Sequence, residues 1–250
     1  MTQQADASPL ELWLPESAAF CALPDGPFDP VGNWRLSYVL LQNHPALESR
    51  RIRARGLLRV ARAADADGTA TLDVQRDLRT QQGHTFRRTW QVRCRTDLLG
   101  TPVEWRSTAV LLDGDGRPVE PTQQQDEGRM LDGRIEMTSR PSRPLRVDGP
   151  VTGNWTLFEA LPRLRGGDIE PATFDLLEDF EVLKRHHRLG RWGRVTADLG
   201  GQTVALQGYR QIGDGILPTD WWLDESGRVV LALAGLQGFA LNPYPDDAAD

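Results

Sequence analysis

The chain has 250 residues, of which 39% are hydrophobic and 26% charged, and a formal net charge of −6. That length fits one large β domain or two smaller ones, with enough apolar material for a sizeable core. The composition excludes a disordered or fibrous chain, and the modest acidic balance excludes a molecule given over wholly to polyanions.

Residues 1–30 form a Pro-rich acidic lead, with a short turn of helix expected near Leu10–Leu14. The first basic residue is Arg35, so Met1 to Phe20 lacks the positive region of a signal peptide. Cytoplasmic placement is therefore expected, or periplasmic if a leader has been removed.

From Trp34 onward the pattern changes. Arg51-Ile52-Arg53-Ala54-Arg55 and Thr89-Trp90-Gln91-Val92-Arg93-Cys94-Arg95 place charged or polar and apolar residues alternately. Side chains on a strand alternate between faces, so this predicts strands with one wet and one buried face, in an antiparallel sheet. Cys94 shares the apolar phase with Trp90 and Val92 and is expected to be buried. Strands are predicted over Trp34–Leu41, Arg51–Ala63, Thr69–Leu78, His84–Thr96 and Val103–Leu112. Asp65-Ala66-Asp67-Gly68 and Asp113-Gly114-Asp115-Gly116 supply hairpin turns. The polar segment Gln123–Glu127 then leads into a strand at Gly133–Ser139.

At Gly149 the period changes. Asn154 is placed to cap a helix carrying Trp155, Phe158 and Leu161, and a second short helix is expected from Pro171, with Phe174, Leu177 and Phe180 on one side. Strands resume at Glu181–Leu189, Trp192–Leu199, Thr203–Ile212, Asp220–Leu223 and Val229–Leu236, with a turn at Gly200-Gly201. The organisation expected is an N-terminal extension (1–30), a single β domain (31–241) with a helical insertion at about 154–180, and a flexible tail (242–250). Turn-separated strands at this spacing predict a mainly β fold: a curved antiparallel sheet, half-barrel or open barrel, with the helices on its concave face.

Charge is uneven. Arg50 to Arg95 holds twelve arginines against Asp65, Asp67, Asp73 and Asp77, whereas Val151 onward is net acidic. Such a face can receive an anionic ligand or an acidic protein, or can pair internally across strands. Nucleic acid is not expected, because few aromatics accompany the arginines and no recognition motif occurs. Cys21 and Cys94 define neither a disulfide framework nor a metal site, and no metal, nucleotide or other cofactor motif is present. The longest apolar run, Val229–Leu236, is too short to span a bilayer.

Two features carry candidate chemistry. His187 shares a strand face with Leu183 and Leu189, so it points inward and is the candidate general base; it is also an ordinary core histidine. The aromatic set Trp155, Phe158, Trp192, Tyr209, Trp221 and Trp222, with Phe174 nearby in sequence, combines apolar area with polar handles suited to lining a ligand cavity. A simple core explains many of the same residues.

The run Gly208-Tyr209-Arg210-Gln211-Ile212 followed by Leu217-Pro218-Thr219-Asp220-Trp221-Trp222-Leu223 and the turn Asp224–Gly227 resembles the strand–turn–strand ending of half-barrel proteins. With the element order over about residues 31–241, it resembles the lipoprotein-carrier and lipoprotein-receptor half-barrels of bacterial envelopes, a fold shared by a small enzyme of violacein formation. The resemblance implies a curved sheet closed by helices around an apolar cavity. The missing export signal departs from the carrier role. Three functions stay open: a carrier of a hydrophobic small molecule, lipid or acyl chain; a cofactor-independent cavity enzyme; and a partner-binding scaffold using the arginine face.

Overall fold

The computed structural model describes Ser17 and residues 20–44, 51–138, 144–164 and 172–244; the helix expected near Leu10–Leu14 lies outside them. Strands β1 (Trp34–His44), β2 (Arg51–Ala64), β3 (Thr69–Arg79), β4 (Thr85–Arg95) and β5 (Pro102–Leu112) are long. Strands β6 (Gln124–Leu131), β7 (Arg134–Met137) and β8 (Leu145–Arg146) shorten towards a free edge. The second half begins with β9 (Val151–Gly153), helix α1 (Leu157–Arg163) and β10 (Ala172–Glu178). It continues through β11 (Val182–Leu199), β12 (Gln202–Ile212), β13 (Thr219–Leu223), β14 (Val229–Ala234) and β15 (Gln237–Leu241).

All fifteen strands form one sheet, ordered from β8 back to β1 and then from β15 back to β9. Every pairing is antiparallel except β9 with β10. The seam between the halves is the β1–β15 pair, where Tyr38 lies opposite Leu241. The fold is therefore mainly β, a curved open antiparallel sheet with the short helix α1 on its concave side, and the alternation predicts such a sheet.

Helix α1 shows no polar face: Leu157, Phe158, Glu159, Ala160, Leu161 and Pro162 are all buried. A helix buried all round belongs inside a core. Its Phe158 ring touches Tyr38 of β1, Trp221 of β13 and Phe239 of β15, at centroid distances of 5.1, 5.1 and 6.0 Å. These contacts identify the inner face of the sheet. Pairing registers then carry that face across β2 to β5 through Leu58, Val60, Leu72, Val74, Trp90, Val92 and Trp105. Cys94 lies in this phase and is buried, as expected, and desolvation pushes its thiol well above the usual range.

The arginines of alternate phase face outward and pair across strands. Arg87 grips Asp77 through two bonds of 2.8 and 2.9 Å, Arg93 meets Asp67 and Glu104, Arg106 meets Glu127 at 2.6 Å and Arg129 meets Glu136 at 2.7 Å. Arg87 and Arg93 of the basic stretch are thus neutralised by their neighbours, as cross-strand pairing allows.

Several elements differ from expectation. Where a second helix is expected, Ala172–Glu178 is strand β10. Phe174, Asp175, Leu176 and Leu177 are all buried, and burial of both faces erases the alternation that separates strand from helix. Gln124–Leu131 is strand β6 rather than a polar connection; much of it is exposed, so it lacks an apolar phase. The two strands predicted on either side of Gly190 are one strand, β11, with a register shift between Arg191 and Gly193. Val229–Leu236 stops at Ala234, and a turn at Gly235 and Leu236 starts β15. The helix cap is Thr156 rather than Asn154, whose side chain is used elsewhere.

Candidate ligand site

The six aromatics singled out in the sequence do not form one site. Trp155, Phe158 and Trp221 meet inside the barrel, with Trp155 and Phe158 stacked at 6.2 Å. Tyr209 pairs with Trp221 in register and so shares the inner face; its hydroxyl donates to the Leu164 carbonyl at the end of α1, at 3.4 Å. Trp222 is the next residue on β13 and faces the other way, lying across Gly208, where any Cβ would come within 2.7 Å of the ring. Trp222 is nevertheless buried, whereas Trp192 lies at the surface. It is 42% exposed, and the Arg210 guanidinium sits 3.4 Å from its ring centroid while binding buried Asp220 through two bonds. The interior set therefore comprises Trp155, Phe158, Tyr209 and Trp221.

Around Phe158 the rings fill the space between α1 and the sheet. Three polar groups in this cluster are buried without a hydrogen-bond partner: Tyr38 Oη, Trp155 Nε1 and Trp221 Nε1. Desolvation also drives the Tyr38 phenol above its ordinary range, with the Asp224 charge adding to it. Each unpaired buried donor costs about 1–3 kcal/mol, so three around one ring need a reason.

His187 points inward, as its phase requires, and is fully buried. It packs on Phe174 at 5.7 Å, and its Nδ1 meets the Gln211 side-chain amide at 3.1 Å. Burial lowers its pKa below the ordinary value of 6.5. Its side-chain hydrogen-bond partner is an amide rather than the carboxylate that orients a typical histidine base.

Two charged clusters inside the barrel escaped the sequence reading. In the first, Glu159 of α1 is fully buried and accepts from Arg62 of β2 at 3.2 Å and from Arg163 through two bonds of 2.8 Å. Arg62 also donates to the carbonyls of Val31 and Gly32, at 2.6 and 2.7 Å, and Arg163 to that of Thr96 at 2.9 Å. In the second, Arg76 of β3 and Arg88 of β4 lie opposite each other and both approach Asp179 Oδ2, at 3.4 and 3.5 Å. Arg88 also contacts Glu181. Arg76 lies over the rings of Trp90 and Trp155, at 5.4 and 5.7 Å, and Arg88 over Trp90 at 4.9 Å.

Asp179 and Phe180 form the turn between β10 and β11 and both have left-handed backbone, with φ of 49° and 59°. Aspartate tolerates this region, but for a bulky residue it is an outlier. Packing holds it there: Phe180 stacks on Trp105 at 5.3 Å, Asn154 bonds both the side chain and the backbone N–H of Asp179, and Trp90 Nε1 donates to the Asp179 carbonyl at 3.1 Å. The signal for both clusters was present in the sequence as arginines out of phase. Arg62 follows Leu58 and Val60, Arg76 follows Leu72 and Val74, and Arg88 precedes Trp90 and Val92, all on the apolar side of the alternation.

On the outer face, grooves of about 800 and 460 Å³ run over β3–β7 and β1–β5. Paired side chains such as Arg93, Glu104, Arg106 and Glu127 line the first. Among the described residues, no group of three His, Cys, Asp or Glu side chains is placed to hold a metal, and no helix is long and apolar enough to cross a membrane.

The sequence matches no protein-family model, and no curated protein matches it. Among solved structures, it is similar to a crystal structure of a β-barrel-like protein of a domain of unknown function, DUF1849, from Brucella abortus. The TM-score is 0.55 at 12% identity, over 85% of this chain and 96% of that one. At this identity the likeness concerns the fold alone, and it places the chain among barrel-like β proteins.

Proposed function

We propose that the protein binds or carries a hydrophobic small molecule or acyl chain between the sheet and α1. The observation that supports this best is the trio of unpaired donors around Phe158. A ligand bearing carbonyl, ether or hydroxyl oxygens would satisfy them while its apolar part lay against Trp155 and Trp221. The rings occupy this space, so binding requires them or α1 to give way. The cavity-enzyme reading has less support, because the side chain bonded to His187 is Gln211 and not an acid.

Native mass spectrometry of gently purified protein, followed by organic extraction, tests this reading by identifying what co-purifies. Fluorescence then locates the site. Decanol should quench the wild type, Trp221→Phe should remove much of the response, and Trp222→Phe should leave it. Loss of the response in Trp222→Phe alone would put the ligand on the outer face and sink the interior site.

A further inference from the structure

Two guanidinium groups on the inner wall of a barrel need an explanation, because the alternation that builds the sheet would place them outside. Arg76 and Arg88 share Asp179 loosely, although Arg88 also makes a close ion pair with Glu181. Their shared contacts with Asp179 are 3.4 and 3.5 Å long, beyond the 2.7–2.9 Å of a good charged hydrogen bond. Arg88 Nε is buried with no partner at all. The carboxylate between them sits on a turn whose two residues are both left-handed.

The next inward row beyond this pair is Leu78, Phe86 and Leu111, aligned in register across β3, β4 and β5. All three are half-buried. A cationic pair beside tryptophan faces therefore adjoins an apolar, partly open strip. That combination suits a molecule with a charged head and an apolar body, since guanidinium forks recognise planar oxyanions and stack on aromatic rings.

We propose that Arg76 and Arg88 form a subsite for the oxyanion head of an amphipathic ligand, and that Asp179 occupies it in the unliganded chain. The head takes the place of the Asp179 carboxylate, while the apolar body lies along Leu78, Phe86 and Leu111 and against the interior rings. This rests on the interior-ligand reading and names the class of ligand. The exchange is internal competition: one protein carboxylate leaves the arginines as one ligand oxyanion arrives.

Isothermal titration calorimetry with decanoate, decyl phosphate and decanol tests it, with each variant's fold checked by circular dichroism. Decanoate or decyl phosphate should bind the wild type at least about tenfold more tightly than decanol, the worth of one charge-assisted bond; whichever is preferred identifies the head as carboxylate or phosphate. Arg76→Gln and Arg88→Gln should each erase the preference for the anions over decanol. Asp179→Asn, which suits a left-handed backbone, should strengthen binding of the anions. Equal affinities for all three probes, or an Asp179→Asn variant with unchanged or weaker anion binding, overturns the subsite and leaves the interior site standing. Failure of every probe to bind the folded wild type overturns both.

Discussion

The two charged clusters inside the barrel each set a pair of arginines around one carboxylate, with Glu181 added at the second, and they differ in how well that carboxylate is held. Around Glu159 the carboxylate is sealed from water, its bonds to the guanidinium groups are 2.8 to 3.2 Å long, and Arg62 and Arg163 also reach backbone carbonyls. Around Asp179 the carboxylate is partly exposed, the shared contacts are longer, one Nε has no partner and the backbone is left-handed. A buried charge network is stable only when every member is satisfied. The first cluster meets that condition and fixes α1 to β2. The second does not, because Arg88 Nε has no partner and the shared contacts with Asp179 are long.

The largest effect is expected at the sealed cluster. Glu159→Ala leaves Arg62 and Arg163 without their carboxylate in the interior and should cost about 3–5 kcal/mol, as breaking a buried pair does. Urea unfolding would show it, and a loss below about 1 kcal/mol would mean that the two clusters do not differ in kind. At the open cluster, Arg88→Gln should cost no more than about 1–2 kcal/mol by the same measurement, because Trp90 still covers the site and Glu181 reaches solvent. Equal losses at the two clusters would break the comparison.

The smallest effect belongs to a third polar group, His187. Its pKa in the fold lies below the ordinary value of 6.5, because burial disfavours the charged ring. The unfolded chain then binds more protons than the folded one in the window just below pH 6.5, so stability should fall as pH drops through that window and level off below the folded pKa. Unfolding curves across it should flatten in His187→Gln relative to wild type. A slope unchanged by the substitution would assign the pH dependence to other groups.

The sequence revealed those parts of the fold that have one wet and one dry face. In β2 to β5 the alternation marked the strands to within a residue or two, and Gly200-Gly201 marked a hairpin that the structure closes with φ of 58° and 78°. Where both faces are buried, as in β10, or where much of the strand is wet, as in β6, the two-residue period vanishes and local pattern stops discriminating. The interior site was half legible for a related reason. Aromatic density found Trp155, Phe158, Tyr209 and Trp221, but parity on β13 separates Trp221 from Trp222 only once one of them has a known neighbour. Inward arginines appear in sequence as flaws in a pattern, and attention to the pattern passes over them.

The pairing of β1 with β15 has a consequence for how the chain must find its fold. The two free edges of the sheet, β8 and β9, are consecutive in sequence, while the strands nearest the two termini are zipped together in mid-sheet, where Ala22 also bonds Leu241. That seam is the pairing that joins the most distant parts of the chain, and it closes the largest loop. If the termini were linked and the chain opened at Gly149, each strand would neighbour its successor in sequence throughout. The long-range step, and the slow folding that accompanies high contact order, would be removed from the topology without moving a single side chain of the interior.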